Sequence, residues 1–546
     1  MTGGTDTAGA GGFPVDVAGL PEASPTTTVR LADGDRFDLR IGPVANRLGD
    51  GPVRMLAYGG SIPGPVLHVD QGSEIVLTAR NDGDHETTVH WHGLRLENRY
   101  DGVPHETQAP IPVGETFTYR LQFPDPGFYW YHPHVREDYG IEMGLYGTII
   151  VEPEDPSYWP PADRRLSITL DDVLVEDGRI APFRRDALSY TAMGRFGNVM
   201  LVNGQTAFAE QVTVDEVVRL NLVNTANTRI FKVRLPGARM KLVGGDSGRY
   251  EHETFVDEVM LAPSERAVVD VRFDMAGAVP FQHRAPGSAH DLGTFTVTGA
   301  AGSGGPAAAA FEQLRTDPEL TAERGRLAHD LARGPDKVLG FTALMPILYG
   351  GGETAADSYV CPMHPEVTAT EPATCPKCGM KLVPATAVAA HGGDHHHGGG
   401  HGEDESDGSI EWEDLMPDIN RQTDAHNMVW KIVDRQTGAE NTAIDWAFTV
   451  GDRVKIHLVN EMEGSEHPMH HPFHIHGCGR FLVLARQGVP EENLVWKDTV
   501  LVPAGHTVDI LLDVTNPGRW MAHCHIAEHN QTGMMFSFDV ARSPRP

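Results

Sequence analysis

The chain has 546 residues, 40% of them hydrophobic, which is enough for three or four domains with cores of their own. No stretch approaches the roughly 20 consecutive apolar residues of a membrane-spanning helix. Lysine and arginine total 44 against 75 aspartates and glutamates, a formal net charge of −31, which repels nucleic acid and anionic membranes and favours cationic or metal-ion partners.

Residues 1–26 are rich in Gly, Ala, Thr and Pro, lack a basic n-region and an apolar h-region, and read as a flexible N-terminus with no visible secretory leader. Localisation is left open. Three later segments read alike: Gly72–Asn81, Asp215–Asn224 and Gly451–Asn460 are alternating strands that each end in Asn. With the short strands and Gly/Pro turns between them, they predict an all-β protein of three Greek-key β-sandwich domains. The first spans 27–156 and contains His90-Trp91-His92 and His132-Pro133-His134. Alternation puts the two histidines of each pair on one face of a strand. The second, 157–300, has Phe231-Lys232-Val233-Arg234-Leu235 where the third has histidines, and is expected to hold no metal and to act as a spacer. A linker and connector helix fill 301–334, with Leu320, Leu327 and Leu331 at helical spacing and a break at Asp317-Pro318. The third domain is expected at 335–349 and 409–546, opening on a strand from Val338 to Met345, with 350–408 inserted into it.

The insert contains Cys361-Pro362-Met363-His364 and Cys375-Pro376-Lys377-Cys378. Cys361, His364, Cys375 and Cys378 have the spacing of two knuckles converging on one tetrahedral site. Thiolates accept both Zn(II) and Cu(I), so the metal stays open between them. The motifs closely resemble a small heavy-metal-binding module appended to copper-export proteins. The tract that follows, with His391, His395, His396, His397 and His401 among Gly, Asp and Glu, reads as a disordered linker that binds metal loosely.

The third domain carries His471-Pro472-Phe473-His474-Ile475-His476 and His523-Cys524-His525, followed by His529 and Met534. On a strand His523 and His525 share one face and Cys524 takes the other, so one strand can serve two metal sites. Cys524, His529 and a weak axial Met534 are the ligand types of a blue copper. Parity separates His471 from His474 and His476 and makes it the fourth ligand. The same-face histidines then number eight: His90, His92, His132, His134, His474, His476, His523 and His525. They suffice for a cluster of about three coppers with open positions for a substrate. With 28 histidines in the chain, chance gives about one or two His-x-His pairs, and four stand outside the His-rich tract. Of the five cysteines, one is thus assigned to copper and three to the insert, which leaves Cys478 as a buried free thiol and implies no disulfide framework.

These four motifs, in this order and at the two ends of the chain, resemble the multicopper oxidases, the family of laccases and bacterial copper oxidases. The resemblance implies cupredoxin-like domains and four catalytic coppers, one blue and three in a trinuclear cluster, besides the Zn(II) or Cu(I) of the insert. His90 and His474 would hold the single copper of the cluster, and His92, His132, His134, His476, His523 and His525 the coupled pair. A phenolic or aromatic substrate, or Cu(I), would give up electrons one at a time at the blue copper, and dioxygen would be reduced to water at the cluster. Asp101, in Asp101-Gly102-Val103-Pro104, matches the family's proton-donating acid, and it also reads as an ordinary turn residue before Gly. Some relatives carry a second acid where this chain has Asn530, which shifts weight to Asp101 or Glu528. Met469, two residues before His471, matches the substrate-copper thioether of cuprous oxidases, and packing would explain it equally well. Relatives are commonly exported, and a monomer is the default. The rival classes are a copper-sequestering detoxification protein, which needs no Cys bracketed by cluster histidines, and a copper nitrite reductase, which lacks the eight-histidine cluster.

Overall fold

The computed structural model describes residues 11–49, 51–299, 305–344, 359–360, 366–369, 376, 383–384, 409–462 and 468–543. Cys361, His364, Cys375, Cys378 and the His-rich tract lie outside them. Among the described residues, strands build three two-sheet sandwiches, each closed over its own apolar cluster. One sheet of each sandwich is built on the Asn-ended repeat. Glu74–Asn81, Val217–Asn224 and Arg453–Asn460 each lie between a parallel and an antiparallel neighbour. Branched residues at alternate positions fill the core side of these strands, which is why the pattern shows in the sequence.

The terminal asparagine has the same task three times. Asn81 Nδ2 donates to the carbonyls of His85 and Ile111, both at 2.8 Å. Asn224 Nδ2 donates to those of Arg229 and Leu261 at 2.7 and 2.9 Å, and Asn460 Nδ2 to those of Met469 and Val502 at 2.8 and 3.1 Å. Each Oδ1 accepts from the backbone N–H two residues on, of Gly83, Ala226 and Met462. One buried amide thus satisfies three main-chain groups where the strand leaves the sheet, which a hydrophobic residue there could not do.

The other sheet of each sandwich pairs two antiparallel strands in a repeated register. His90 stands opposite His132 in the first and His474 opposite His523 in the third. In the second sandwich the equivalent pair is Val233 opposite His283.

The connector forms two short helices, Pro318–Arg326 and Ala328–Ala332, instead of one. Asp317 caps the first by accepting from the N–H groups of Glu319 and Leu320, with Pro318 at its first position. Leu320 and Leu327 are buried as expected, but the break at Leu327 turns Leu331 outward, to 40% exposure. The first strand of the third sandwich runs Lys337–Leu344, parallel to Arg453–Asn460 and antiparallel to Val429–Asp434. The insert therefore connects two hydrogen-bonded neighbours, Leu344 standing opposite Val429. Within it Tyr359–Val360 pairs with Thr368–Ala369 and with Val383–Pro384.

Candidate metal centre

The two His-bearing strand pairs, from the first and third sandwiches, face each other. His90 and His476 approach to 4.1 Å between ring centroids and His92 and His474 to 3.8 Å. All eight histidines are buried, and three overlapping sets, His90/His92/His132, His90/His474/His476 and His134/His476/His523, bring ligand atoms within 4.8 Å of one another. His525 completes the ring of imidazoles, 5.2 Å from His132 and 5.0 Å from His92 between centroids. The strand itself stops at Cys524 and a helix, Ala527–Gln531, begins three residues later. His525 reaches the group from the bend between them.

The free nitrogens test whether metal fits. His90 Nε2, His92 Nδ1, His132 Nε2, His134 Nε2, His474 Nε2 and His525 Nε2 are buried with no hydrogen-bond partner, while His476 Nε2 and His523 Nε2 meet at 3.1 Å. The opposite ring nitrogens are anchored: His90 Nδ1 to the Asp101 carbonyl at 2.6 Å, His474 Nδ1 to the Asp498 carbonyl at 2.9 Å, and His523 Nδ1 to the Cys524 carbonyl at 2.9 Å. Burial holds His90, His92, His132, His474 and His476 far below the usual imidazole range. His523 and His525 are lowered to about 3 and about 4. Neutral imidazoles fixed at one nitrogen and bare at the other are metal ligands in waiting. The donor set suits copper.

On the other face of the strand, Cys524 Sγ lies 3.5 Å from His471 Nδ1 and 3.7 Å from His529 Nδ1. The carbonyl of Met534 accepts from Cys524 N at 3.1 Å and its N–H donates to the His529 carbonyl at 3.0 Å, so the thioether is carried on the loop that closes the site. All four residues are buried, and burial raises the Cys524 thiol, so a metal must displace its proton.

Asp101 sits where a turn and a functional acid coincide. It follows the 3-10 turn Asn98–Tyr100, and Gly102 after it has φ +84°, where an added Cβ would lie 2.1 Å from the Val89 carbonyl oxygen. Asp101 Oδ2 lies 2.7 Å from His476 Nδ1, and burial raises its carboxyl to about 8. Glu528 is also buried and raised, to about 8 by burial, but it faces Asn227 and Thr228 of the second sandwich. Met469 is fully buried in the third core, as is the Cys478 thiol, which burial raises.

Two carboxylates at the cluster escaped the sequence reading. Glu137 Oε1 lies 2.9 Å from His134 Nδ1, and its Oε2 accepts from Asn530 Nδ2 at 2.8 Å. A first-domain acid thus adjoins the Asn530 position. Burial opposes a charge on His134, and Glu137 outweighs it, raising that imidazole above its usual range. Asp498 Oδ1 lies 3.0 Å from His92 Nε2. The spacing of Glu137, three residues after His134, was the one local signal available.

The Cys524 group is roofed. Trp430 stacks on His529 at 4.0 Å and meets His471 edge-on at 4.9 Å, and Phe341 lies 5.6 Å from His471. A loop of the second sandwich is stapled on top: Trp430 Nε1 donates to the Thr191 carbonyl at 2.6 Å, Ala192 N to Thr423 Oγ1 at 2.9 Å, and Asn420 Nδ2 to the Gly194 carbonyl at 2.8 Å.

Multicopper oxidase family models match residues 43–156 and 414–544, and a heavy metal binding domain model matches 358–385. Among similar proteins, multicopper oxidase MmcO of Mycobacterium tuberculosis is 26% identical, over 96% of this chain and 88% of that one. Copper resistance protein A of Escherichia coli is 24% identical over 92% of each. Putative laccase-17 of rice is 25% identical over 89% of each. In fold, the chain resembles a variant of the McoA multicopper oxidase of Aquifex aeolicus, with TM-score 0.65 and 21% identity over 96% of this chain and all of that one. It likewise resembles a metallo-oxidase of Campylobacter jejuni, with TM-score 0.63 and 19% identity over 97% and 99%. With the bare histidine nitrogens and the Cys524 group, these likenesses identify the chain as a member of the multicopper oxidase family, a copper-dependent oxidoreductase with a heavy-metal-binding module set into it.

Proposed function

We propose that the protein oxidises a small soft metal ion, Cu(I) foremost, at the Cys524 group and reduces dioxygen to water at the eight-histidine group. The observation that carries the substrate reading is burial: His471 and His529 are both fully covered, beneath Trp430, Phe341 and the stapled second-domain loop. A planar phenol needs van der Waals contact with a ligand imidazole, whereas an ion needs only a few soft donors. Met193, Met416, Met428, Met462 and Met469 belong to the same buried cluster as the site, and thioethers suit Cu(I). The net charge of −31 favours cations at a distance.

In this reading His471, Cys524, His529 and Met534 hold one copper, and the eight histidines hold three. Copper so held would supply one-electron transfer at the first group and, with that electron added to the three of the cluster, the four that dioxygen needs to become water. The chain's part is placement. Cys524 is bonded directly to His523 and through it lies within one residue of both groups, so the two sites share a covalent link. Asp101, neutral below about pH 8, holds a proton 2.7 Å from the His476 ring nitrogen, where water formation consumes protons.

The inserted module would feed the entry site. Its two ends are carried by Lys337–Leu344 and by the segment leading to Val429–Asp434, the strands whose Phe341 and Trp430 lie against His471 and His529. Ions held by Cys361, His364, Cys375 and Cys378 would be joined through the chain to the strands of the roof, which raises their effective concentration there above that of free solution. The test is oxygen uptake with Cu(I) and with a bulky phenol, on the full protein and on a variant lacking residues 357–407. One dioxygen per four Cu(I) is expected, with the deletion raising the apparent KM for Cu(I) alone. A preference for the phenol, or parallel losses on both substrates, would overturn the reading.

A further inference from the structure

The second sandwich contributes no candidate ligand, yet one of its side chains ends beside the cluster. Arg266, 2% exposed, grips Asp498 with two parallel bonds, Nη1 to Oδ1 at 2.7 Å and Nη2 to Oδ2 at 2.5 Å. Its other three N–H groups go to carbonyls: Nε to Phe128 at 3.2 Å, Nη1 to Ser264 at 3.2 Å and Nη2 to Asp246 at 3.0 Å. Every donor of the guanidinium is used, so its plane is fixed by main chain from the first and second sandwiches. Asp498 Oδ1, held by this fork and by Thr499 Oγ1 at 2.9 Å, is the atom 3.0 Å from His92 Nε2. A carboxylate only accepts, so His92 carries its proton on Nε2 and is left with a bare Nδ1. His90, His132, His134 and His474 show the opposite arrangement, with Nε2 bare.

We propose that Arg266 and Asp498 are a positioning clamp through which the second sandwich selects the nitrogen that His92 offers to the cluster. The proposal rests on the copper reading of the eight histidines. Gly93 supports it independently. At φ +84°, an added Cβ would lie 2.5 Å from Asp498 Oδ2 and 2.7 Å from Arg266 Nη2. The backbone beside His92 is therefore shaped to admit the ion pair. On this view the second sandwich is a working part of the cluster and more than a spacer.

The test uses Arg266→Lys, which keeps the charge and loses the fork, and Asp498→Ala, which removes the acceptor. In metal-free protein carrying 15N-labelled histidine, the wild type should show His92 protonated on Nε2, and both variants should populate the Nδ1-protonated form. In copper-loaded protein, half of the cluster copper should be stripped at a chelator concentration about 10–100-fold lower than in the wild type. The blue absorption should survive at wild-type concentrations, which also shows the third sandwich to be folded. An unchanged His92 tautomer with unchanged cluster retention would overturn the clamp. So would parallel loss of blue and cluster copper, which would reduce the pair to domain docking. If the wild type takes up only the blue copper, the cluster reading fails separately, and the metal-free tautomer measurement still decides the clamp.

Discussion

Replacing the strand-terminal asparagines one at a time separates what the fold needs from what the metal site needs. Asn224→Ala and Asn460→Ala remove the same three hydrogen bonds from equivalent buried positions. At about 1 kcal/mol net per bond, each substitution should cost about 3 kcal/mol, and more if the orphaned carbonyls stay dry. For a domain of about 150 residues, 1 kcal/mol moves Tm by about 2–4 °C, so the affected transition should fall by about 6–12 °C. A multidomain chain need not unfold in one step, so calorimetry should resolve the transitions while blue absorbance follows the third sandwich. Asn224→Ala should leave the blue band unchanged. Asn460→Ala should shift or weaken it, because the carbonyl it releases belongs to Met469, two residues from His471. If Asn224→Ala moves its transition by less than about 1 °C, the repeated amide is not the structural staple argued for. If the two variants affect the blue band alike, its link to the Cys524 group is wrong.

Cys524→Ser should abolish the blue colour and the oxidase activity, since a hydroxyl cannot form the covalent thiolate bond, and an intense blue band persisting would remove Cys524 from the site. Met534→Leu should retain copper with a higher redox potential, checked by redox titration. Asp101→Asn keeps the size and loses the proton, so steady-state oxygen uptake should fall while substrate still reduces the blue band at the wild-type rate in stopped flow. Glu142 is raised by burial to about 7 from an ordinary 4.5. Between these values the unfolded chain has released a proton that the folded chain keeps, so stability is fully present below about 4.5 and falls as pH rises towards 7. Thermal melts of metal-free protein across that window should therefore slope downward, and less steeply for Glu142→Gln.

What the sequence disclosed, and what it hid, divides along the range of the contacts involved. Two histidines on one face of a strand, or a thiol on the other, follow from alternation within a few residues, so the eight-histidine group and the Cys524 group could be sorted by parity before any contact was known. The Asn-ended repeat showed in the same way. His525 lies among the other imidazoles, but alternation accounts for that only in part, since the strand ends at Cys524. Leu331 matched a helical period that the structure interrupts at Leu327. Asp498 and Arg266 were invisible because they reach His92 and each other from different sandwiches, 406 and 232 residues apart in the chain. No local period encodes such a meeting. Gly93 recorded the approach, but as a glycine after a histidine it carries no signal until its neighbours in space are known.

The insertion point has an evolutionary consequence. Leu344 and Val429 are partners across two hydrogen-bonded strands, so the ends of the intervening chain are held together by the sandwich whatever lies between them. Closing a loop between fixed ends costs only about 0.6 kcal/mol more for each doubling of its length. Growing from a turn of about four residues to the present connection is between four and five doublings, about 3 kcal/mol, a cost the sandwich can absorb while Phe341 and Trp430 stay against their histidines. The same doorway would accept a different cassette at a similar cost, so what hangs from this one hairpin can be changed by recombination while the strands that roof the Cys524 group keep their places.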